Sequence, residues 1–138
     1  MFVCIGNACR SPMAEGFANR YGADVLIASS AGLAPLQKIP PDTVAAMGEM
    51  NIDMSGHVPS RYEPFEAADY DLVVNMAGFR LPGPPAPKEV LEWSVNDPYG
   101  APIEVYRTVR DDLEQRVMRL ILDLRKSKSR AQSRSKKR

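Results

Sequence analysis

Eight residues near the start of the chain, Cys4-Ile5-Gly6-Asn7-Ala8-Cys9-Arg10-Ser11, lead out of an apolar run that begins at Met1 and into a helical pattern that continues to about Arg20. A loop between a strand and a helix can turn successive backbone N–H groups toward one point. With the helix N-terminus behind them, these form an anion site. Gly6 and Asn7 are residue types that tolerate the left-handed backbone such a nest requires. Arg10 adds a planar fork of donors matched to two oxygens of a phosphate. A thiol in that positive field is expected to serve as a thiolate nucleophile, which singles out Cys4. The expected phosphate-binding residues are Ile5, Gly6, Asn7, Ala8, Cys9, Arg10 and Ser11.

Beyond this junction the chain alternates short β-branched runs with helical patterns and has no internal repeat, which points to a parallel α/β sheet. Met1 to Ile5 reads as a short buried strand and Val25 to Ser30 as a second. Ser11 and Pro12 open the first helix, as cap and first-turn proline. Pro41 to Met50 is a helix with Val44, Met47 and Met50 on one face, and a short helix around Pro64 to Ala68 precedes a third strand, Asp71 to Met76. Prolines at 82, 84, 85 and 87 exclude regular structure there. Glu89 to Val95 is expected as an edge strand, followed by a turn at Asp97-Pro98-Tyr99-Gly100. From Ile103 to about Leu124, apolar Tyr106, Val109, Leu113, Val117, Leu120 and Leu124 recur at helical steps. The expected fold is a small single-domain α/β three-layer sandwich over residues 1–124, with a parallel four-stranded sheet and helices on both faces.

The near-neutral net charge of +1 conceals an asymmetry. Residues 125–138 hold eight of the 18 Lys and Arg and none of the 17 acids, leaving 10 bases in a body of about −7 beside a tail of +8. The tail has neither aromatic interleaving nor apolar periodicity, so it is expected to be a disordered, solvated extension with no nucleic-acid partner. No apolar run is long enough to span a membrane. Two cysteines and a single histidine, His57, are too few for a disulfide framework or a zinc site, so no metal or cofactor is expected. Free thiols and the absence of a secretory pattern at the N-terminus fit the cytoplasm, and a monomer is expected.

The string from Cys4 to Glu15, CxGNxCRSPxAE, resembles the signature of the low-molecular-weight protein tyrosine phosphatases. Ser30-Ala31-Gly32, Ile52 through His57, Ala68-Asp69, Met76 and Asp97-Pro98-Tyr99 follow in the family's order, so the resemblance covers residues 2 to about 124. It implies a metal-independent enzyme with a cysteinyl-phosphate intermediate, in which Cys4, Arg10 and Asp97 are catalytic. The chemistry demands a group like Asp97: an expelled alkoxide or phenoxide needs a proton, and the resulting carboxylate can then activate water against the thiophosphate. The resemblance also implies a network of Asn7, Ser11, Ser30 and His57 that holds the loop open, with Ser11 bonded to Cys4 or capping the helix. Cys9 is expected to line the loop, near enough in sequence to trap an oxidised Cys4 as a disulfide. Relative to the usual family spacing there is an extra Gly56, the first strand is short, and the stretch from Met76 to Asp97 is short and proline-rich.

Ala8, Leu36 and Tyr99 are the expected walls of the substrate pocket. Tyrosine-directed members commonly carry isoleucine at the place of Ala8. The pattern DPYGAPIEVYRTVRDDLEQ instead resembles the bacterial branch that includes protein arginine phosphatases, where a threonine stands at that place. The expected function is hydrolysis of phosphotyrosine in phosphorylated proteins, with phosphoarginine as the alternative. Further alternatives are an arsenate reductase served by an external small thiol and a non-catalytic phosphate-binding module.

Overall fold

The computed structural model describes residues 1–136. Four short strands, β1 (Phe2–Cys4), β2 (Ser30–Gly32), β3 (Val73–Asn75) and β4 (Val90–Glu92), form one sheet in the order β2-β1-β3-β4, every pair parallel. The order reverses direction at β1, so the crevice beyond its carboxyl end is the place where open parallel sheets bind ligands.

Side-chain alternation along the strands divides the core. Phe2, Cys4 and Val74 face a large apolar cluster with α1 (Arg10–Tyr21), α2 (Pro41–Gly48) and α4 (Ile103–Lys136), while Val3, Ala31 and Val73 face a smaller one with Tyr62 and Ala67. The second face is covered by α3 (Pro64–Ala67), a single turn.

Several boundaries differ from the sequence reading. The second strand is Ser30–Gly32 rather than Val25 to Ser30, because its ladder with β1 starts where Phe2 N–H donates to Ser29 O at 2.9 Å. Ahead of that point the Asn19 side chain takes the place of a strand partner, accepting from Ala28 N–H at 3.0 Å and donating to its carbonyl at 3.1 Å. Ile27 is thereby left 93% exposed. The first helix begins at Arg10 with Cys9 at its N-cap and no side-chain cap, so Ser11 does not cap it. In α4 the buried stripe runs Tyr106, Val109, Leu113, Val117, Ile121; Ile121 occupies the step expected for Leu120, and Leu120 and Leu124 are only half-buried.

The largest difference lies at the C-terminal end. Where disorder is expected from residue 125, α4 continues to Lys136. Neither Gly nor Pro follows Pro102, and propagating an existing helix is far easier than nucleating one. Arg125 also anchors the first added turn, with Nε 2.9 Å from Asp24 Oδ2 and Nη2 donating to Tyr21 O at 2.8 Å. Residues 137 and 138 of the basic tail lie outside the described residues. Among those described, no helix is long and apolar enough to cross a membrane, and no cluster of metal-ligating side chains occurs.

Candidate active site

The loop from Cys4 to Arg10 is shaped by what its carbonyls hold. Those of Cys4, Ile5 and Gly6 accept from the N–H groups of Leu33, Ala34 and Leu36 at 3.1, 2.8 and 3.0 Å. Ala8 O accepts from Thr43 Oγ1 at 2.9 Å, Asn7 O lies 3.2 Å from His57 Nε2, and Cys9 O takes the first helical bond from Met13. Across a trans peptide the N–H points opposite to the carbonyl, so a loop with every carbonyl tied outward directs its N–H groups toward the cleft. Asn7 supplies the reversal with φ of 49°, in the left-handed region. Behind the loop, a Cβ on Gly32 would stand 2.7 Å from Ile5 O and 2.8 Å from Asn7 N. Gly32→Ala should therefore displace the loop, costing about 1 to 3 kcal/mol of stability as overpacking does, and weaken phosphate binding. A melting curve and a calorimetric phosphate titration check both, and unchanged phosphate affinity would show that the loop tolerates the shift.

A chain of polar side chains reaches the sulfur from the protein side. Ser60 N–H donates to Asn7 Oδ1 at 2.9 Å, which fixes the amide so that Asn7 Nδ2 donates to Ser11 Oγ at 2.8 Å. Ser11 Oγ lies 2.9 Å from Cys4 Sγ, and with that bond accepted its hydroxyl proton is free to be given to a thiolate there. His57 Nε2 faces two acceptors, Asn7 O and Asn7 Oδ1, both at 3.2 Å, so it carries a proton. Its Nδ1 lies 3.5 Å from Glu15 Oε2, to which Ser30 Oγ donates at 3.0 Å. Asn7, Ser11, Ser30 and His57 thus lie in one network, and Glu15 joins its far ends. Glu15 stands in the motif string itself, which was the available signal; Thr43 carries none.

Arg10 is 5% exposed, and its guanidinium is oriented by main-chain oxygens. Nη1 donates to Met76 O at 2.6 Å and Val95 O at 3.2 Å, whereas Nε is buried without a partner among the described residues. A buried donor left unpaired is costly, and a bound oxyanion would satisfy it. Arg10 Nη2 lies 3.5 Å from Asp97 Oδ2. Asp97 also accepts from Tyr99 N–H at 3.1 Å, so this residue forms the local turn as well as facing the arginine. Cys4, Ile5, Gly6, Ala8, Cys9, Arg10, Asp97 and Tyr99 line a cleft of about 240 Å³, closed on one side by Leu36 and by Ala34, which sequence reasoning passed over. The volume is below the roughly 300 to 1,000 Å³ of sites that enclose whole small molecules, and suits the end of a side chain.

Cys9 differs from Cys4. Burial pushes its thiol up to about 11, so at neutral pH it stays protonated. Its sulfur lies 3.9 Å from Tyr106 Oη, which burial likewise pushes above the ordinary tyrosine range. These are the contacts of a packed loop residue rather than of a nucleophile.

Residues 1–81 match the family described as low molecular weight phosphotyrosine protein phosphatase. The chain belongs to this family. Among curated relatives, the glutaredoxin arsenate reductase of Synechocystis sp. is 43% identical over 124 residues, covering 88% of this chain and 94% of that one. A solved arsenate reductase in its phosphate binding state superposes with a TM-score of 0.80 at 40% identity, over 90% of this chain and 96% of that chain. The YwlE arginine phosphatase from Geobacillus stearothermophilus superposes with a TM-score of 0.82 at 26% identity, over 94% of each chain. Family membership and these relatives make this low-molecular-weight phosphatase relative a cysteine-based enzyme.

Proposed function

We propose that the chain hydrolyses phosphate monoesters on protein side chains, phosphotyrosine first, in the cytoplasm and as a monomer. The observation that carries this reading is the placement of Asp97 at the cleft that Cys4 floors, 3.5 Å from the arginine that faces the same space. The Cys4 thiolate attacks phosphorus, forming the S–P bond as the P–O bond to the leaving group breaks. Asp97 gives its proton to that oxygen. Water then attacks phosphorus, Asp97 takes a proton from it, and the S–P bond breaks to return the thiolate and inorganic phosphate. Arg10 and the loop N–H groups hold the phosphoryl oxygens in both steps. Tyr99, 60% exposed at the rim, offers a flat wall to an aryl group. The likeness to an arginine phosphatase keeps phosphoarginine as a substrate of the same chemistry, with small Ala8 favouring neither.

Asp97→Asn tests the acid role. Turnover of phenyl phosphate should fall roughly a hundred-fold or more, and that of p-nitrophenyl phosphate much less, since nitrophenolate leaves without a proton. Equal losses on both esters would return Asp97 to turn formation alone.

The arsenate reductase relatives favour a second reading at the same loop. Cys4 would attack arsenate and expel water. A second thiol would then attack Cys4 Sγ, passing two electrons to arsenic so that arsenite leaves and a disulfide remains. The chain has no cysteine beyond Cys9 to receive the disulfide, so an external small thiol would serve as the second thiol. Arsenite production that needs added glutathione, with no ester hydrolysis, would establish this reading over the first. Phosphate binding with neither activity would leave a binding module.

A further inference from the structure

We propose that Arg116 is a positioning residue for Asp97, seating the segment between β4 and the acid loop against α4 and so acting on proton transfer rather than on phosphate binding. This rests on the hydrolytic reading above.

The segment needs such a seat. The last backbone bond from it to the sheet is Trp93 N–H to Asn75 O at 2.9 Å, and among the described residues no backbone hydrogen bond holds Ser94 through Asp97. Side chains hold it instead. Arg10 reaches Val95 O and the Asp97 carboxylate, but Arg10 is also the residue whose outward donors must turn to a bound phosphoryl group. The anchor outside the reacting centre altogether is Arg116, whose Nη2 donates to Ser94 O at 3.0 Å. Its guanidinium is fixed from two other sides: Nε donates to Asp112 Oδ1 at 2.9 Å one helical turn back, and Cζ lies 5.9 Å from the centre of the Trp93 ring. Trp93 in turn packs on Phe2 of β1, with ring centres 6.0 Å apart. The acid loop is thus referred to the same strand that carries Cys4. Because reaction geometry is sensitive to about 1 Å of misplacement, losing this seat should reduce the fraction of encounters in which Asp97 reaches the leaving oxygen.

Arg116→Met keeps the apolar stem and removes the donors, and Asp112→Asn loosens the same guanidinium from the helix side. For Arg116→Met, kcat on phenyl phosphate should fall about 10-fold, part of the loss expected when general acid catalysis is impaired. On p-nitrophenyl phosphate kcat should change less than about twofold, as expected when departure needs no proton, and inhibition by inorganic phosphate should be unchanged. In an Asp97→Asn background the substitution should add nothing, because the group it positions is gone. Arg116→Lys should recover part of the loss, since an ammonium reaches Ser94 O but cannot hold Asp112 in the same plane. Trp93 is the single tryptophan, so acrylamide quenching of its fluorescence reads the seat directly and should rise in Arg116→Met and, to a smaller degree, in Asp112→Asn. Equal losses on the two esters, an undiminished loss in the Asp97→Asn background, or unchanged quenching in a variant that melts like wild type would each overturn the proposal. If wild type hydrolyses neither ester, the hydrolytic reading falls by itself, and the quenching of the two variants still decides whether Arg116 seats the loop.

Discussion

A Cys4→Ser protein is expected to bind inorganic phosphate about as wild type does and to turn over aryl phosphates at least roughly 10⁴-fold more slowly, the scale on which removal of a nucleophile acts. Binding should survive because the anion is held by the loop N–H groups and Arg10, and the loop's carbonyl anchors to Leu33, Ala34, Leu36 and Thr43 do not involve the sulfur. Turnover should not survive, because a serine hydroxyl beside Ser11 Oγ stays protonated at neutral pH and no base is hydrogen-bonded to it. Calorimetric titration with phosphate and a p-nitrophenyl phosphate assay measure the two halves. Appreciable residual turnover, or loss of wild-type activity on adding EDTA, would show that the reaction takes another route.

Arg10→Lys should be nearly as severe although it keeps the charge. The guanidinium serves three directions at once: Nη1 is committed to the carbonyls of Met76 and Val95, Nη2 lies toward Asp97, and Nε is buried and unpaired. One ammonium cannot occupy those positions in a plane. Placed on the carbonyls, it leaves the phosphoryl oxygens without a partner; placed in the cleft, it leaves two main-chain oxygens without their side-chain donor. Both the bound substrate and the transition state lose contacts, so phosphate affinity and kcat should fall together, with kcat reduced on the order of 10² to 10³-fold as for a lost oxyanion donor. Steady-state kinetics with phosphate as competitive inhibitor decide it. Near wild-type values would place Arg10 outside the reacting centre.

Much of this is legible in the sequence, and it is of one kind. The contiguous run from Cys4 to Ser11 contains the loop, its left-handed Asn7 and its arginine within a single strand-to-helix passage, so local residue types were sufficient to read an anion nest. The period of α4 and the edge position of β4 were legible for the same reason: periodicity and proline placement are local. What the sequence could not supply was pairing across distance. Whether Val25 to Ile27 would form a strand depended on where β1 began, and the ladder opens only at Ser29. Whether Ser11 would cap a helix or face a sulfur depended on the Asn7 amide, which is set by Ser60, 53 residues away. The different partners of Cys4 and Cys9, five positions apart and both buried at the cleft, came from the fold: Cys4 Sγ lies beside Ser11 Oγ, and Cys9 Sγ lies toward Tyr106 of α4. The sequence alone therefore determined the family and the strand-to-helix loop with its left-handed Asn7 and its arginine, because these depend on neighbours along the chain. The tertiary structure decided the partners of Asn7 and Ser11, the approach of Asp97 to Arg10 and the contact of Cys9 with Tyr106, because these depend on groups that only the parallel sheet and α4 bring within reach.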